Sequence, residues 1–206
     1  MPRPTSPLLD RESIARAALA ELDAKETFTM PGLAKRLGVA VSSLYHHVSG
    51  REEVLELVRG TIAVAMADDV DWSGGWRAAV TTWVRTYRDA FGAHPALVRA
   101  LTGQTVEAPA ILNSYDHLAR CLRAAGFADT EILHLITLLD TFALGSALDA
   151  AAPATVWSVA SLADDSALAR AVAAAPSGRE RADAAFDFGL GLLLDALERR
   201  LLQETR

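Results

Sequence analysis

Cysteine is almost absent from this chain. The single residue, Cys121, can form no internal disulfide, so packing alone must hold the fold, and a reducing cytoplasm is the expected compartment. Aromatic side chains are scarce at 6% of residues. Strand-like alternation of apolar and polar residues is missing, and so is any internal repeat. The first residues, Met1 to Pro7, contain no apolar run, which excludes a secretion signal there. No uncharged apolar stretch reaches the length of a bilayer span, so no membrane partner is expected. An overall basic excess is lacking too, since the net charge is −6.

The charge is unevenly spread. The first 60 residues hold eight of the 20 basic and eight of the 26 acidic groups, so the remainder, with 12 basic and 18 acidic groups, carries the whole −6. Between Lys25 and Arg51 four basic groups face one acid, Glu26. That is a local basic patch on an acidic protein, and distribution matters more than the sum for a nucleic-acid partner.

What is abundant is alanine, the best helix former. With 51% apolar residues in 206, the chain can bury a real core. The expected fold is all-α, with helices legible from their ends. Asp10 reads as an N-cap with Glu12 in the first turn, followed by the stripe Ile14, Ala18 and Leu22. Thr29 reads as the cap of a second helix with Pro31 in its first turn, and Gly38 as its left-handed stop. A short third helix spans about Val41–His47. Ser49 and Glu52 read as a capping box opening a fourth, striped by Val54, Leu55, Val58, Ile62 and Met66. The break at residues 72–76 precedes further helices at about 76–92, from Pro95, from Pro109 to about 125, at about 130–152, and to about 203 at the end. Residues 1–9 read as a loose proline-rich arm. Residues 150–176, with 12 alanines, read as weak helix or loop.

Leu33, Ala34, Gly38 and Leu44 are spaced as two helices crossing at a tight turn require. Ala34 is small where the second helix crosses, Gly38 supplies the turn, and Leu37 and Leu44 fill the angle. The third helix then offers Val41, Ser42, Tyr45 and His46 outward, as an element that enters a major groove would. Ser42 and Ser43 can bond bases or phosphates, and Tyr45 can reach a phosphate or a thymine methyl. Thr29 and the N–H groups of the second helix suit an anion. Arg51 can neutralise a phosphate, and His46 and His47 add donors.

Residues 10–66 resemble the head of the tetracycline-repressor (TetR) family. The resemblance is carried by Ile14, Ala17 and Ala18, by Phe28 and Thr29, by the run Leu33–Val39, and most specifically by Ser43–Val48 followed by Arg51, Glu53, Val54, Leu55 and Leu57. Residues 138–145 are similar to a helix in the C-terminal part of the tetracycline-repressor branch. The resemblance implies an all-helical homodimer that binds double-stranded operator DNA and releases it when a small molecule binds. It implies a helix-turn-helix head over residues 1–50, a connecting helix over 51–70, and a ligand-binding and dimerisation body over 71–206. Pro31 stands where the tetracycline repressors place a base-reading arginine, so their operator does not carry over. The body offers no histidine near Ala100 and Leu101 to hold magnesium, so tetracycline is not the expected ligand.

Two body helices are more apolar than a monomer of this size needs. The helix near 131–152 is apolar nearly all round, which demands burial on several sides. The last helix carries Phe186, Leu190, Leu193, Leu194 and Leu197. These, with Leu144, are the expected dimer interface across a two-fold axis, with Gly145, Gly189 and Gly191 allowing close approach. The expected pocket takes Trp83, Tyr87 and Phe91, which recur at spacing four, with Tyr115, Thr137, Thr141, Phe142 and Trp157. The plainer alternative is that these aromatics only pack the core. No cofactor and no metal site is expected. Asp116 and His117 diverge as helix neighbours, and Cys121 has no histidine at a telling spacing, so no catalytic set is expected. A helical enzyme, or an interaction module without DNA binding, is the alternative reading.

Overall fold

A computed structural model describes residues 9–66, 69–163 and 165–204. The proline-rich arm falls mainly, and the end of the connecting segment partly, outside the described residues. Among the described residues there are ten helices and no strand. They are α1 (Arg11–Lys25), α2 (Met30–Leu37), α3 (Val41–Tyr45), α4 (Arg51–Met66), α5 (Trp76–Gly92), α6 (Pro95–Leu101), α7 (Pro109–Ala125), α8 (Asp129–Ala150), α9 (Ala167–Ala174) and α10 (Gly178–Glu204).

Local chemistry explains the helix ends. The Asp10 carboxylate accepts from the Ser13 N–H at 2.7 Å while Ser13 Oγ accepts from the Asp10 N–H at 3.1 Å. The Ser13 N–H, and after it the Ser13 hydroxyl, hold the Asp10 carboxyl below its ordinary range. Thr29 Oγ1 accepts from the Gly32 N–H at 3.1 Å, and Gly38 closes α2 at φ +69°. The box expected at Ser49 is shifted by one residue: the Ser49 N–H donates to Glu53 Oε2 at 2.6 Å, rather than to Glu52.

The head closes around Ile14, Leu22, Leu33, Leu44, Val54 and Leu55, all fully buried. Each such side chain contributes about 1.5–3 kcal/mol through removal from water. α4 packs along α1 and continues onto α7, so one helix belongs to both the head and the body. In the body α5 and α8 make the most extensive pairing, with α7 and α10 against the same pair. Phe142 of α8 stacks on Phe186 of α10 with centroids 5.4 Å apart. That approach needs Gly189, where an added Cβ would lie 2.8 Å from the Phe142 ring.

The expected dimer interface is therefore corrected in part. Phe186, Leu190, Leu194 and Leu197 are buried within their own chain, because α10 lays that stripe on the body helices. Leu144 and Leu193 are half-buried. Gly189 serves packing within the chain, while Gly145 and Gly191 have open space at the Cβ position. The outward faces of α8 and α10 instead carry Leu133 (70% exposed), Leu138, Phe188 (71%) and Leu192. α8 is long and apolar enough, by length and composition, to cross a membrane, a point the sequence reading missed because it looked for an uncharged run. Here one side of it, through Leu139, Ala143 and Ala147, is fully buried against other helices.

Candidate nucleic-acid interface and ligand-binding body

Leu44 anchors α3 from below, fully buried, while Tyr45 beside it is half exposed. Ser42 and His46 are exposed on the same short element, and Val41, Ser43 and His47 are half-buried. Six of the expected groups thus lie on or beside this short element. Thr29, exposed at the start of α2, spends its Oγ1 on the Gly32 N–H. Arg51 is exposed at the start of α4, with its guanidinium 5.0 Å from the centroid of the Phe28 ring. This stacking orients the cation without neutralising it.

Two other cations of the patch, Lys25 and Arg36, are tied down. Glu21, nearly buried on α1, accepts from Lys25 at 2.7 Å and from Arg36 of α2 at 2.9 Å. Lys25 and Arg36 together hold its carboxyl below the ordinary range. Arg11 donates to the His47 carbonyl at 2.6 Å and to Glu53. Among the described residues Lys35 and Arg51 make no ion pair. The sequence reading missed Arg11 and Glu21. Lys25 four residues after Glu21 was the available signal for one half of that network.

The expected pocket residues separate into groups. Trp83, Tyr87, Phe91 and Tyr115 do come together: Trp83 and Tyr87 stack at 4.8 Å, Tyr87 and Phe91 lie 4.6 Å apart, and Trp83 and Tyr115 6.0 Å apart. Trp83 Nε1–H donates to Ser114 Oγ at 2.8 Å. Tyr115 O–H donates to Asp140 at 2.7 Å, leaving Tyr87 to donate to the Tyr115 oxygen at 3.0 Å. Burial, then the neighbouring tyrosine and carboxylate, push the Tyr87 hydroxyl far above its ordinary pKa, and burial does the same to Tyr115. Phe142 belongs to the α8–α10 contact instead. Thr137 is exposed and donates to the Leu133 carbonyl at 2.8 Å, and Thr141 is exposed as well. Trp157 is half exposed, with Arg181 5.3 Å from its ring centroid. These last four do not join the cluster. They sit on an outer helix face, on another helix contact or in a loop, positions that spacing alone cannot distinguish.

An open groove lies elsewhere. A groove of about 1020 Å³ runs between α4 and residues 103–110, walled by Glu52, Glu56, Gly60, Gln104 and Ala108 among others. Glu56 Oε2 accepts from the N–H groups of Glu107 and Ala108 at 2.8 and 2.9 Å, fixing α4 to the start of α7. Arg59, one helical turn on, is 6% exposed. A hydrogen bond between His94 Nδ1 and Asp23 at 2.9 Å and an ion pair between Arg99 and Glu26 at 3.2 Å further link α1 to α6. No cluster of three or more potential metal ligands occurs among the described residues.

A capped helix-turn-helix head joined by one shared helix to an all-helical body defines the class. Residues 71–201 match the family model described as the tetracyclin repressor-like C-terminal domain, and the chain belongs to that family. It is 28% identical over 147 residues to the HTH-type transcriptional repressor DrrR1 of Streptomyces coeruleorubidus, which covers 71% of this chain and 54% of that protein. The chain thus spans about half of DrrR1's length. It is 27% identical over 206 residues to the class A tetracycline repressor protein from transposon 1721 of Escherichia coli, covering 94% of this chain and 93% of that one. The fold also matches apo ActR from Streptomyces coelicolor, with a TM-score of 0.79 at 24% identity over 95% of this chain and 98% of that one. ActR bound to actinorhodin matches with a TM-score of 0.75 at 23% identity.

Proposed function

We propose that this chain is a homodimeric transcriptional regulator that binds a palindromic operator through α3 and lets go when a small molecule binds its body. The polar outer rim of α3 carries this reading: Ser42, Tyr45 and His46 stand exposed on an element whose Leu44 is locked into the head core. Thr29, Ser43, His47 and Arg51 flank that rim and supply phosphate contacts. DrrR1 and the class A tetracycline repressor are named as repressors, and ActR has been solved with actinorhodin, which supports ligand-linked repression in this fold. Tetracycline itself is not the proposed ligand, since no histidine stands around Ala100 and Leu101 to hold magnesium.

The division into head, connecting helix and body, at residues 1–50, 51–70 and 71–206, gives the mechanism its parts. Two copies pair through the outward faces of α8 and α10. The two α3 elements then stand about one turn of DNA apart, roughly 34–36 Å. A ligand acts only if it favours another spacing, which α4 transmits because it belongs to both parts. The site of action is the cytoplasm.

A gel shift with the DNA upstream of the gene tests this reading. Tyr45→Ala is expected to weaken the shifted complex while the protein elutes as the same dimer. An unchanged complex would remove α3 from the contact.

A further inference from the structure

α3 is poorly secured by its own ends. It has five residues, Ala40 offers no side-chain cap before it, and His46 closes it in ordinary right-handed geometry. A helix of that length is marginal alone, so its pose depends on what holds it from outside. Leu44 and Val48, both buried, anchor its underside. Apolar burial is non-directional. It fixes the depth of α3 but leaves the angle of the turn that follows to other contacts.

Arg11 reaches that turn from the first residue of α1. One guanidinium nitrogen donates to the His47 carbonyl at 2.6 Å and the other to Glu53 of α4. Among the described residues no other donor meets the His47 carbonyl. Glu53 gives its second oxygen to the Ser49 N–H at 2.6 Å. The Ser49 N–H, and after it Arg11, hold the Glu53 carboxyl below its ordinary range, so the acceptor stays ionised at neutral pH. α1, the turn after α3 and the start of α4 thus meet at one guanidinium fork. Tyr45 and His46, both exposed, stand immediately before His47. The Arg11 and Glu53 side chains are 52% and 30% exposed. Ion pairs as open as this add little stability, so the contribution of the fork is geometric.

We propose that Arg11 is a positioning residue for operator recognition: by pinning the turn after α3 to α1 and α4, it fixes the pose in which Tyr45 and His46 meet the bases, without itself touching DNA. This rests on the operator-binding reading above and deepens it. Side chains that read base edges must be held to within about half an ångström. Without the fork the turn can swing, and base contacts weaken while the phosphate contacts of Thr29 and Arg51 persist. Glu53 already answers the Arg11 charge, so Arg11 displaces no counterion from DNA. Its loss therefore lowers sequence preference and leaves the salt dependence of binding as it was.

Two measurements on the full-length protein test this. The first titrates wild type and Arg11→Met against a palindrome from the upstream DNA and against its scrambled form, over a range of salt. The variant is expected to lose about tenfold in preference for the palindrome, the worth of roughly one base contact, with the salt slope unchanged. Arg11→Lys is expected to regain only part of the preference, because an ammonium cannot span both acceptors as a fork does. The second measurement is amide hydrogen exchange of the free protein. Arg11→Met is expected to exchange faster at His47, Val48 and Ser49 while the amides of the α1 core stay protected. A salt slope lowered by about one with the preference kept would make Arg11 a phosphate contact and overturn the proposal. Full recovery in Arg11→Lys, or unchanged preference and exchange in Arg11→Met, would overturn it too. A wild type with no preference for the palindrome would sink the operator-binding reading instead, and faster exchange in the variant would still uphold the pin.

Discussion

Arg51 stands over the Phe28 ring, exposed at the start of α4. Such a cation contributes through counterion release and carries no sequence preference. Arg51→Ala is expected to weaken binding to all DNA sequences alike and to lower the slope of log affinity against log salt by about one. A titration series in rising salt measures this, and a change confined to sequence preference would contradict the phosphate role. Glu21 acts on stability instead. Its carboxyl is held below the ordinary glutamate value of about 4.3 by Lys25 and Arg36. Stability from that group is fully present above the unfolded value and is lost as pH falls through the lowered folded value. Thermal melts of Glu21→Gln between neutral and strongly acidic pH are expected to fall less steeply with acid than those of the wild type. Parallel curves would mean that the network adds nothing. Glu21 was not legible beforehand, because its partner Arg36 arrives from a different helix.

At the scale of elements, the sequence was most informative where the chain's own chemistry ends a helix. Asp10, Thr29 and Gly38 do what their types suggest, and the bounds of α7 follow from Pro109 and the left-handed Gly126. It was least informative about which side of a helix faces what. The stripe Phe186, Leu190, Leu194 and Leu197 has the same spacing whether it meets its own body or a partner, and only tertiary packing decides. The aromatic cluster was half legible. Spacing four placed Trp83, Tyr87 and Phe91 on one face, while Tyr115 joins them only through the packing of α7. Gly189 is the sharpest test of α10 packing. Alanine would gain about 1 kcal/mol of helix propensity, but its Cβ meets the Phe142 ring at 2.8 Å. Overpacking costs about 1–3 kcal/mol, so Gly189→Ala is expected to lower the melting temperature. A higher melting temperature would show that the α8–α10 contact is looser than described.

For the whole molecule, one chain leaves large apolar side chains outward on two neighbouring helices, Leu133 and Leu138 on α8 and Phe188 and Leu192 on α10. Contiguous patches of that kind mark association surfaces. Phe188→Glu is expected to shift the protein from dimer to monomer in sedimentation experiments and to weaken DNA binding with it, since a palindrome is read by two heads. A variant that stays dimeric would move the interface elsewhere. The first 60 residues are neutral and the remainder carries the whole −6, so the overall charge says little about the partner. The head's hold on DNA is the claim on which the functional reading stands. Fluorescence anisotropy of the wild-type dimer, titrated at fixed salt against a palindrome from the DNA upstream of its gene and against the same bases scrambled, measures it most directly. The account predicts at least about a thousandfold preference for the palindrome. Equal affinity for the two would contradict it.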